Sequence, residues 1–159
     1  MPSKIYIHYG DSIEDLQSIK IGDGPIVLDH GVLQTKPARS FWASPKSSPM
    51  TWKRWCENNL DRSEEYWSKA ITFRVQVDKI ASISDRVSFL YFFYRYGSWW
   101  DYDPKMVAMD FERMREDGWY GFEVLISKWK PLYRLFYGYD CDSIAIWDKR
   151  GIIPTRRQP

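Results

Sequence analysis

The hydrophobic pattern of the first half of the chain predicts a series of strands. Residues 4–9 are rich in β-branched and aromatic side chains, and Phe41-Trp42-Ala43 is a short apolar run closed by Ser44-Pro45, so each segment predicts a strand. Residues 70–77 alternate apolar and polar side chains, which is the period of a strand with one buried face. Residues 80–83 extend or follow that strand.

A helix is predicted shortly after the second of these strands. Ser48 or Thr51 can cap its N-terminus, because a hydroxyl oxygen there accepts a hydrogen bond from a free backbone N–H. Three residues at positions i, i+3 and i+4 then share one helical face: Trp52, Trp55 and Cys56. The sequence therefore predicts a helix with an aromatic face.

The second half of the chain predicts further helices and strands. Residues 85–96 are apolar nearly all round, which is typical of a buried helix. An aromatic-rich loop is expected at residues 97–104, followed by a helix that begins at Pro104 and runs to residue 116. Strands are predicted for residues 119–127 and 143–147. Weaker patterns predict a short amphipathic stretch at 12–19, a short strand or loop anchor at 26–28, a loop at 34–40, an exposed charged stretch at 61–65, and a loop or short helix at 128–136.

These elements, in a chain of 159 residues, predict one α+β domain that spans residues 1–159. Hydrophobic residues make up 44% and charged residues 28% of the chain, a globular composition. The apolar runs are too short to cross a bilayer. The first four residues lead into a strand without the apolar segment of a signal peptide. We therefore expect a cytoplasmic protein with no membrane partner.

The histidines, the cysteines and the net charge argue against two classes of function. The chain has two histidines, His8 and His30, and two cysteines, Cys56 and Cys141. Because these four residues are far apart in the sequence, they do not have the spacing of zinc ligands, and we expect no bound metal. The two cysteines can pair in principle, but a cytosolic chain keeps its thiols reduced. A net charge of +2 is too small to indicate nucleic-acid binding by charge alone.

Aromatic residues are unusually abundant. They form 18% of the chain, with 9 Trp and 11 Tyr. Aromatic side chains that carry a polar atom gather at ligand pockets and interfaces. The excess favours a site that stacks against a planar ligand, although composition does not locate it.

Four residues are candidates for chemistry. His8 ends the first strand, where a histidine serves either as a structural residue or as a ligand contact. Asp140 and Asp142 open the last strand. Residues two positions apart project to the same side of an extended chain, so the two carboxylates share either a site or a surface turn. Glu123 lies in an apolar segment, where alternation turns it either toward a site or toward solvent.

Three segments together resemble the ADP-ribosyltransferase fold, in the His-Tyr-Glu branch shared by poly-ADP-ribose polymerases and diphtheria-like toxins. Ile5-Tyr6-Ile7-His8-Tyr9-Gly10 is similar to the histidine motif of the first strand. Phe41-Trp42-Ala43-Ser44, followed by Trp52-Lys53-Arg54-Trp55-Cys56, is similar to the second motif. Asp142-Ser143-Ile144-Ala145-Ile146-Trp147 is similar to the acid-bearing third strand. The resemblance implies a split β-sheet core with flanking helices.

Nearly the whole chain also resembles a family of small bacterial and phage proteins that has no settled activity. The matching segments occur in the family's order: Lys36-Pro37, Phe41-Trp42-Ala43-Ser44-Pro45, Trp52 to Cys56, Phe122-Glu123-Val124, and Tyr137-Gly138-Tyr139-Asp140-Cys141-Asp142-Ser143-Ile144. This resemblance implies a bacterial or phage effector.

The first resemblance implies that NAD is the substrate and that its ADP-ribose goes to a protein or nucleic-acid acceptor. Cleavage of the nicotinamide–ribose bond passes through an oxocarbenium-like state that a carboxylate stabilises. Asp142 matches the acid position, Asp140 matches the acid-or-Gln position two residues earlier, and Glu123 is the alternative acid. His8 would hold a ribose hydroxyl. The implied cofactor-binding residues are His8, Tyr9, Trp42, Ser44, Trp52 and Trp55, of which Trp55 best matches the aromatic platform for nicotinamide.

Three departures from the family patterns leave a second function open. Asp142 is one methylene shorter than the usual Glu, which re-aims the carboxylate. Tyr9 stands where Gly usually follows the histidine, and Arg39-Ser40 stands where the small family has Gly-Gly. The alternative is a non-catalytic module that binds NAD or a related nucleotide. One example of this alternative function is a phage counter-defence protein that blocks a host partner. Its docking surface would be Trp99-Trp100-Asp101-Tyr102.

A nucleic-acid modifier is a third hypothesis. It rests on the basic segment of residues 155–159 and on Lys128 and Lys130. Steep salt dependence of binding would support it.

Overall fold

The computed structural model describes residues 4–9, 35–37, 40–60 and 64–154. The chain is mixed α+β, with a curled seven-stranded sheet, a separate two-stranded hairpin and several short helices. The strands are β1 (Ile5–Tyr9), β2 (Phe41–Pro45), β3 (Ala70–Val75), β4 (Ile80–Ile83), β5 (Gly97–Trp100), β6 (Asp103–Met109), β7 (Gly121–Val124), β8 (Ser143–Ile146) and β9 (Ile152–Pro154). The helices are α1 (Trp52–Asn59), α2 (Glu64–Ser68), α3 (Arg86–Tyr96), α4 (Phe111–Glu116) and α5 (Leu132–Leu135), with 3-10 turns at Val77–Lys79 and Lys149–Gly151.

The large sheet opens between two of its central strands. Its strand order is β4-β7-β8-β2-β1-β3-β9, and β4 and β7 are the one parallel pair of neighbours in it. β1 pairs with β3 along its whole length. With β2 it pairs only at Tyr6↔Pro45 and Ile7↔Ser44. The two strands therefore separate beyond Ile7, and this opening creates space for a cavity.

The two faces of the sheet pack into different hydrophobic clusters. Phe122 and Val124 of β7 join a cluster that contains residues of α3, α4 and the hairpin. Ile144 and Ile146 of β8 join a second cluster with Tyr6 and residues of β3. Neighbouring residues of a strand point to opposite faces, so the position of a residue along its strand decides which cluster it contacts.

The structure confirms most of the predicted elements. β1, β2, β3, β4 and β8 lie where the alternation predicts strands, and α1 and α3 lie where helices are predicted. Thr51, rather than Ser48, caps α1 by accepting a hydrogen bond from the Arg54 N–H at 3.3 Å. A capping box formed by Asp85 and Ser88 begins α3. The segments predicted at residues 12–19 and 26–28 lie outside the described residues.

The predictions for residues 97–116 are wrong in part. Residues 97–109 form the β5–β6 hairpin instead of a loop followed by the start of a helix. Val107 and Met109 are fully buried, and pairing of this segment with β5 outweighs the helix start that Pro104 predicts. Pro104 has no backbone N–H to donate. It is tolerated in β6 because this strand pairs only with β5, so that its other edge needs no donor. The helix starts only after Asp110, which caps it.

Other differences concern the ends of elements and the cysteines. The strand predicted at residues 119–127 is limited to β7, and β9 is not predicted from the sequence. Cys56 and Cys141 are both buried, and no disulfide joins them. None of the helices in the described residues is long and apolar enough to span a membrane.

Candidate functional site

A cavity of about 440 Å³ lies where β1 and β2 separate. It is an open cavity bordered by these strands, by α1 and α2, and by the segments that precede β2 and β8. Its lining residues are Ile7, His8, Tyr9, Lys36, Pro37, Trp42, Ala43, Ser44, Trp52, Tyr66, Gly138, Tyr139, Asp140, Cys141 and Ser143. A cavity of this volume accommodates a small organic ligand.

The cavity brings together residues from all three motifs that the sequence analysis identified. The expected site residues in its lining are His8, Tyr9, Trp42, Ser44, Trp52 and Asp140. Trp55, Glu123 and Asp142 lie outside the lining. The structure therefore separates the candidate carboxylates: Asp140 reaches the cavity and the other two do not.

His8 connects the two strands at the point where their backbone pairing ends. Its Nδ1 lies 2.6 Å from the carbonyl oxygen of Trp42. Because a carbonyl oxygen only accepts hydrogen bonds, Nδ1 donates. The imidazole also packs on the ring of Phe41, with 4.5 Å between ring centroids.

The aromatic wall of the cavity is attached to β2 through Ser44. The Ser44 hydroxyl accepts a hydrogen bond at 3.0 Å from the backbone N–H of Trp52, the first residue of α1. Trp52 stacks on Trp55, with ring centroids 5.1 Å apart and planes inclined by 12°. Of this pair, Trp52 lines the cavity, and Trp55 supports its ring from outside the cavity.

We expect the replacement Ser44→Ala to lower the free energy of unfolding by about 1–2 kcal/mol. Ser44 is buried, and its loss leaves the Trp52 N–H without its acceptor. Urea denaturation followed by tryptophan fluorescence measures this change. Ser47→Ala, at an exposed position on the same connection, should change stability by less than about 0.5 kcal/mol. Equal unfolding midpoints for the two variants would contradict this role of Ser44.

Lys36 and Tyr139 form a wall to which the sequence analysis assigns no role. The Lys36 Nζ atom lies 5.7 Å from the ring centroid of Trp42 and 5.5 Å from that of Tyr139, within cation–π distance. Gly138 has φ of 95°, in the region that favours glycine, so it permits the turn that precedes Tyr139. The sequence signal for these residues is their place in the Lys-Pro and Tyr-Gly-Tyr motifs.

Asp140 and Asp142 do not lie on the same side of the chain, contrary to the expectation for an extended segment. The chain bends at Cys141 and Asp142, so alternation begins only with β8. Asp140 lines the cavity. Asp142 is buried and turns the other way: its carboxylate accepts hydrogen bonds from the Ser48 hydroxyl at 2.6 Å and from the Ser127 N–H at 2.8 Å, as well as from the Ser127 hydroxyl.

Glu123 forms a second buried network on the side of the sheet that carries Tyr6. Its carboxylate accepts hydrogen bonds from the Tyr6 hydroxyl, from the Ser82 hydroxyl and from the Lys4 ammonium at 3.0 Å. Burial, and then the charge of Glu123, raise the pKa of Tyr6, so this phenol is a hydrogen-bond donor over the whole physiological range. The network joins β7 to β1 and β4.

Cys141 is the one thiol in the cavity lining. Burial raises its pKa, and hydrogen bonds with Ser143 and Ser44 offset only part of this increase. The thiol is therefore protonated at neutral pH and a poor nucleophile. Among the described residues, no group of three or more His, Cys, Asp or Glu side chains is arranged to hold a metal ion.

The chain matches no protein-family model, no curated protein and no solved structure.

Proposed function

We propose that the cavity between β1 and β2 binds NAD and that the chain transfers ADP-ribose from it to a protein or nucleic-acid acceptor. The observation that carries this proposal is the convergence of His8, Trp42, Ser44, Trp52 and Asp140 on one cavity. These residues belong to three motifs that are far apart in the sequence. The opening in the sheet also suits the split β-sheet of an ADP-ribosyltransferase-like fold.

The chemistry of the lining suits the parts of NAD. The Trp52 ring supplies a planar surface for nicotinamide, supported by Trp55 behind it. His8 lines the cavity beside Trp42 and is the candidate to hold a ribose hydroxyl. Lys36 places a positive charge beside the cavity, where it can contact the pyrophosphate.

In this proposal Asp140 stabilises the positive charge that develops on the ribose as nicotinamide leaves. It is the carboxylate of the cavity lining among the described residues. Asp142 and Glu123 instead hold the sheet and its connections together through buried hydrogen bonds. The proposed reaction therefore places the catalytic acid two residues before the position that the sequence resemblance implies.

The second candidate function is NAD or nucleotide binding without turnover, as in a phage protein that blocks a host partner. The engagement of Asp142 and Glu123 outside the cavity favours it, because Asp140 is then the one carboxylate of the cavity lining among the described residues. A surface for such a partner is available on the hairpin, where Trp99 is 49% and Tyr102 is 73% exposed.

Titration calorimetry with NAD and chromatographic detection of free nicotinamide test the proposal together. We expect the chain to bind NAD and to release nicotinamide in the presence of cell lysate, with label from NAD transferred to a macromolecule. Asp140→Asn should retain NAD binding and lower nicotinamide release about a hundredfold, because the charge-stabilising carboxylate is lost.

Asp101→Asn, at an exposed turn of the hairpin, is the matched control and should leave both measurements unchanged. NAD binding without nicotinamide release or transfer would favour the second candidate. Full activity in Asp140→Asn would remove Asp140 from the mechanism. No binding of NAD to the folded chain would overturn the proposed reaction and the NAD-binding form of the second candidate.

A further inference from the structure

A second cavity, of about 530 Å³, lies on the side of the sheet toward which Asp142 turns. Three lysines from separate parts of the chain line it: Lys4 before β1, Lys46 after β2 and Lys128 after β7. Ser47 and Ser48 contribute hydroxyl groups to the lining. We refer to it as the lysine cavity. It shares no lining residue with the cavity between β1 and β2.

The uncompensated charge of the lysine cavity is positive. The lining has three lysines and one carboxylate, Asp142, which keeps its negative charge although the neutral groups of Ser48 and Ser127 donate hydrogen bonds to it. Lys4 is paired with Glu123 at 3.0 Å. Lys46 and Lys128 are exposed, and neither has an acidic partner within ion-pair distance among the described residues. Two ammonium groups are therefore available to an anion.

The backbone at this cavity is well supported. The Lys46 N–H donates to the Ile5 carbonyl at 2.9 Å, and the Ser48 N–H donates to the Pro45 carbonyl at 3.0 Å. On the opposite wall, the Lys128 N–H donates to the Leu125 carbonyl at 3.0 Å. These bonds position the Cα atoms of Lys46 and Lys128 before any ligand arrives, which lowers the entropic cost of binding.

The lining also has an apolar part, formed by Ile5, Pro45, Pro49 and Leu125. Inorganic phosphate alone would leave this part uncovered, whereas a phosphate ester with an organic group of nucleotide size would use it. The volume lies within the range of small-molecule sites. Ammonium groups and a hydroxyl beside an apolar surface are the combination that recognises a phosphate ester.

We propose that the lysine cavity binds a phosphate ester of nucleotide size, with the phosphate contacting Lys46, Lys128 and the Ser47 hydroxyl and the organic part contacting Ile5 and Leu125. This site is separate from the proposed NAD site and does not depend on it. The same phosphate group is present in a free mononucleotide and in a polynucleotide backbone, so the experiment compares these two sources.

Titration calorimetry of the full chain at low ionic strength tests this proposal. The probes are AMP, inorganic pyrophosphate and a short single-stranded oligonucleotide. We expect AMP to bind, and the double variant Lys46→Glu/Lys128→Glu to weaken AMP binding at least about tenfold, because two charge-assisted contacts are lost. Raised salt should weaken binding in the wild type.

The matched control is Lys69→Glu/Lys149→Glu, which makes the same change in net charge at two exposed positions outside the cavity. It should bind AMP like the wild type. Lys36→Glu removes the charge proposed for the pyrophosphate of NAD and lies outside the lysine cavity. It should bind AMP like the wild type, which separates this site from the NAD site. Because all four lysines of the double variants are exposed, circular dichroism should show a native fold in both double variants.

The outcomes distinguish the possible sources and the failure of the idea. A free phosphate ester is supported if AMP binds more tightly than the oligonucleotide and if only Lys46→Glu/Lys128→Glu loses AMP binding. Tighter binding of the oligonucleotide with the same variant pattern supports a polynucleotide backbone as the source of the phosphate. Equal binding by the two double variants, or no binding of any probe, overturns the proposal.

Discussion

Replacing Glu123 by alanine is expected to lower the free energy of unfolding by about 3 kcal/mol, which corresponds to a fall in Tm of about 6–12 °C for a chain of this size. Glu123 is 1% exposed and accepts hydrogen bonds from Tyr6, Ser82 and Lys4. The alanine variant leaves the fully buried Tyr6 hydroxyl without an acceptor. The Lys4 contact adds little, because its side chain is 45% exposed and water replaces the carboxylate.

Two further variants make this prediction specific. Glu123→Gln keeps an oxygen that can accept from Tyr6, so it should recover about half of the lost stability. Glu116→Ala removes an exposed carboxylate at the end of α4 and should change stability by less than about 0.5 kcal/mol. Thermal unfolding by circular dichroism measures all three. A Glu123→Ala chain as stable as Glu116→Ala would show that the buried network is not a structural link.

Replacing Trp52 by alanine is expected to weaken binding of the proposed ligand, NAD, about 10- to 100-fold. The estimate follows from the loss of about 1–3 kcal/mol of stacking between an aromatic side chain and a planar base. Trp52 lines the cavity, and Trp55 stacks on it from outside. Removal of Trp52 therefore removes the ring of the pair that lines the cavity. Titration calorimetry with NAD measures the change.

The chain offers matched controls for Trp52→Ala. Trp52→Phe preserves a planar ring and should retain most of the affinity. Trp99→Ala removes an exposed tryptophan of the hairpin that packs on Phe93, outside the cavity, and should leave NAD affinity unchanged. Equal NAD affinity in Trp52→Ala and Trp99→Ala would contradict a stacking role for Trp52. NAD would then bind without contacting the Trp52 ring.

The two buried carboxylates and the cavity carboxylate illustrate the limit of motif matching. The sequence resemblance selects Asp142 as the acid, since it opens the last strand. In the structure Asp142 connects the segments before α1 and after β7 by accepting hydrogen bonds from Ser48 and Ser127. Asp140 lines the cavity because the chain bends between them. A difference of two positions thus changes which carboxylate is available to a ligand.

Local pattern alone determined a large part of the fold. The alternation in residues 70–77 predicts β3, and the apolar runs at β2 and β8 predict buried strands, because a strand's period of two follows directly from its backbone geometry. The apolar stretch at residues 85–96 likewise predicts α3. The three motifs that line the cavity were also visible in the sequence, as groups of aromatic and polar residues at the ends of strands.

Only the tertiary structure decided the rest. β5 and β6 form because each supplies the other's hydrogen-bond partner, and a local pattern contains no information about that partner. The opening between β1 and β2, which places His8 beside Trp42, arises from where the pairing of two distant strands stops. The roles available to Asp140, Asp142 and Glu123 depend on which face of the sheet each reaches, and hydrogen bonds between segments far apart in the chain set that choice.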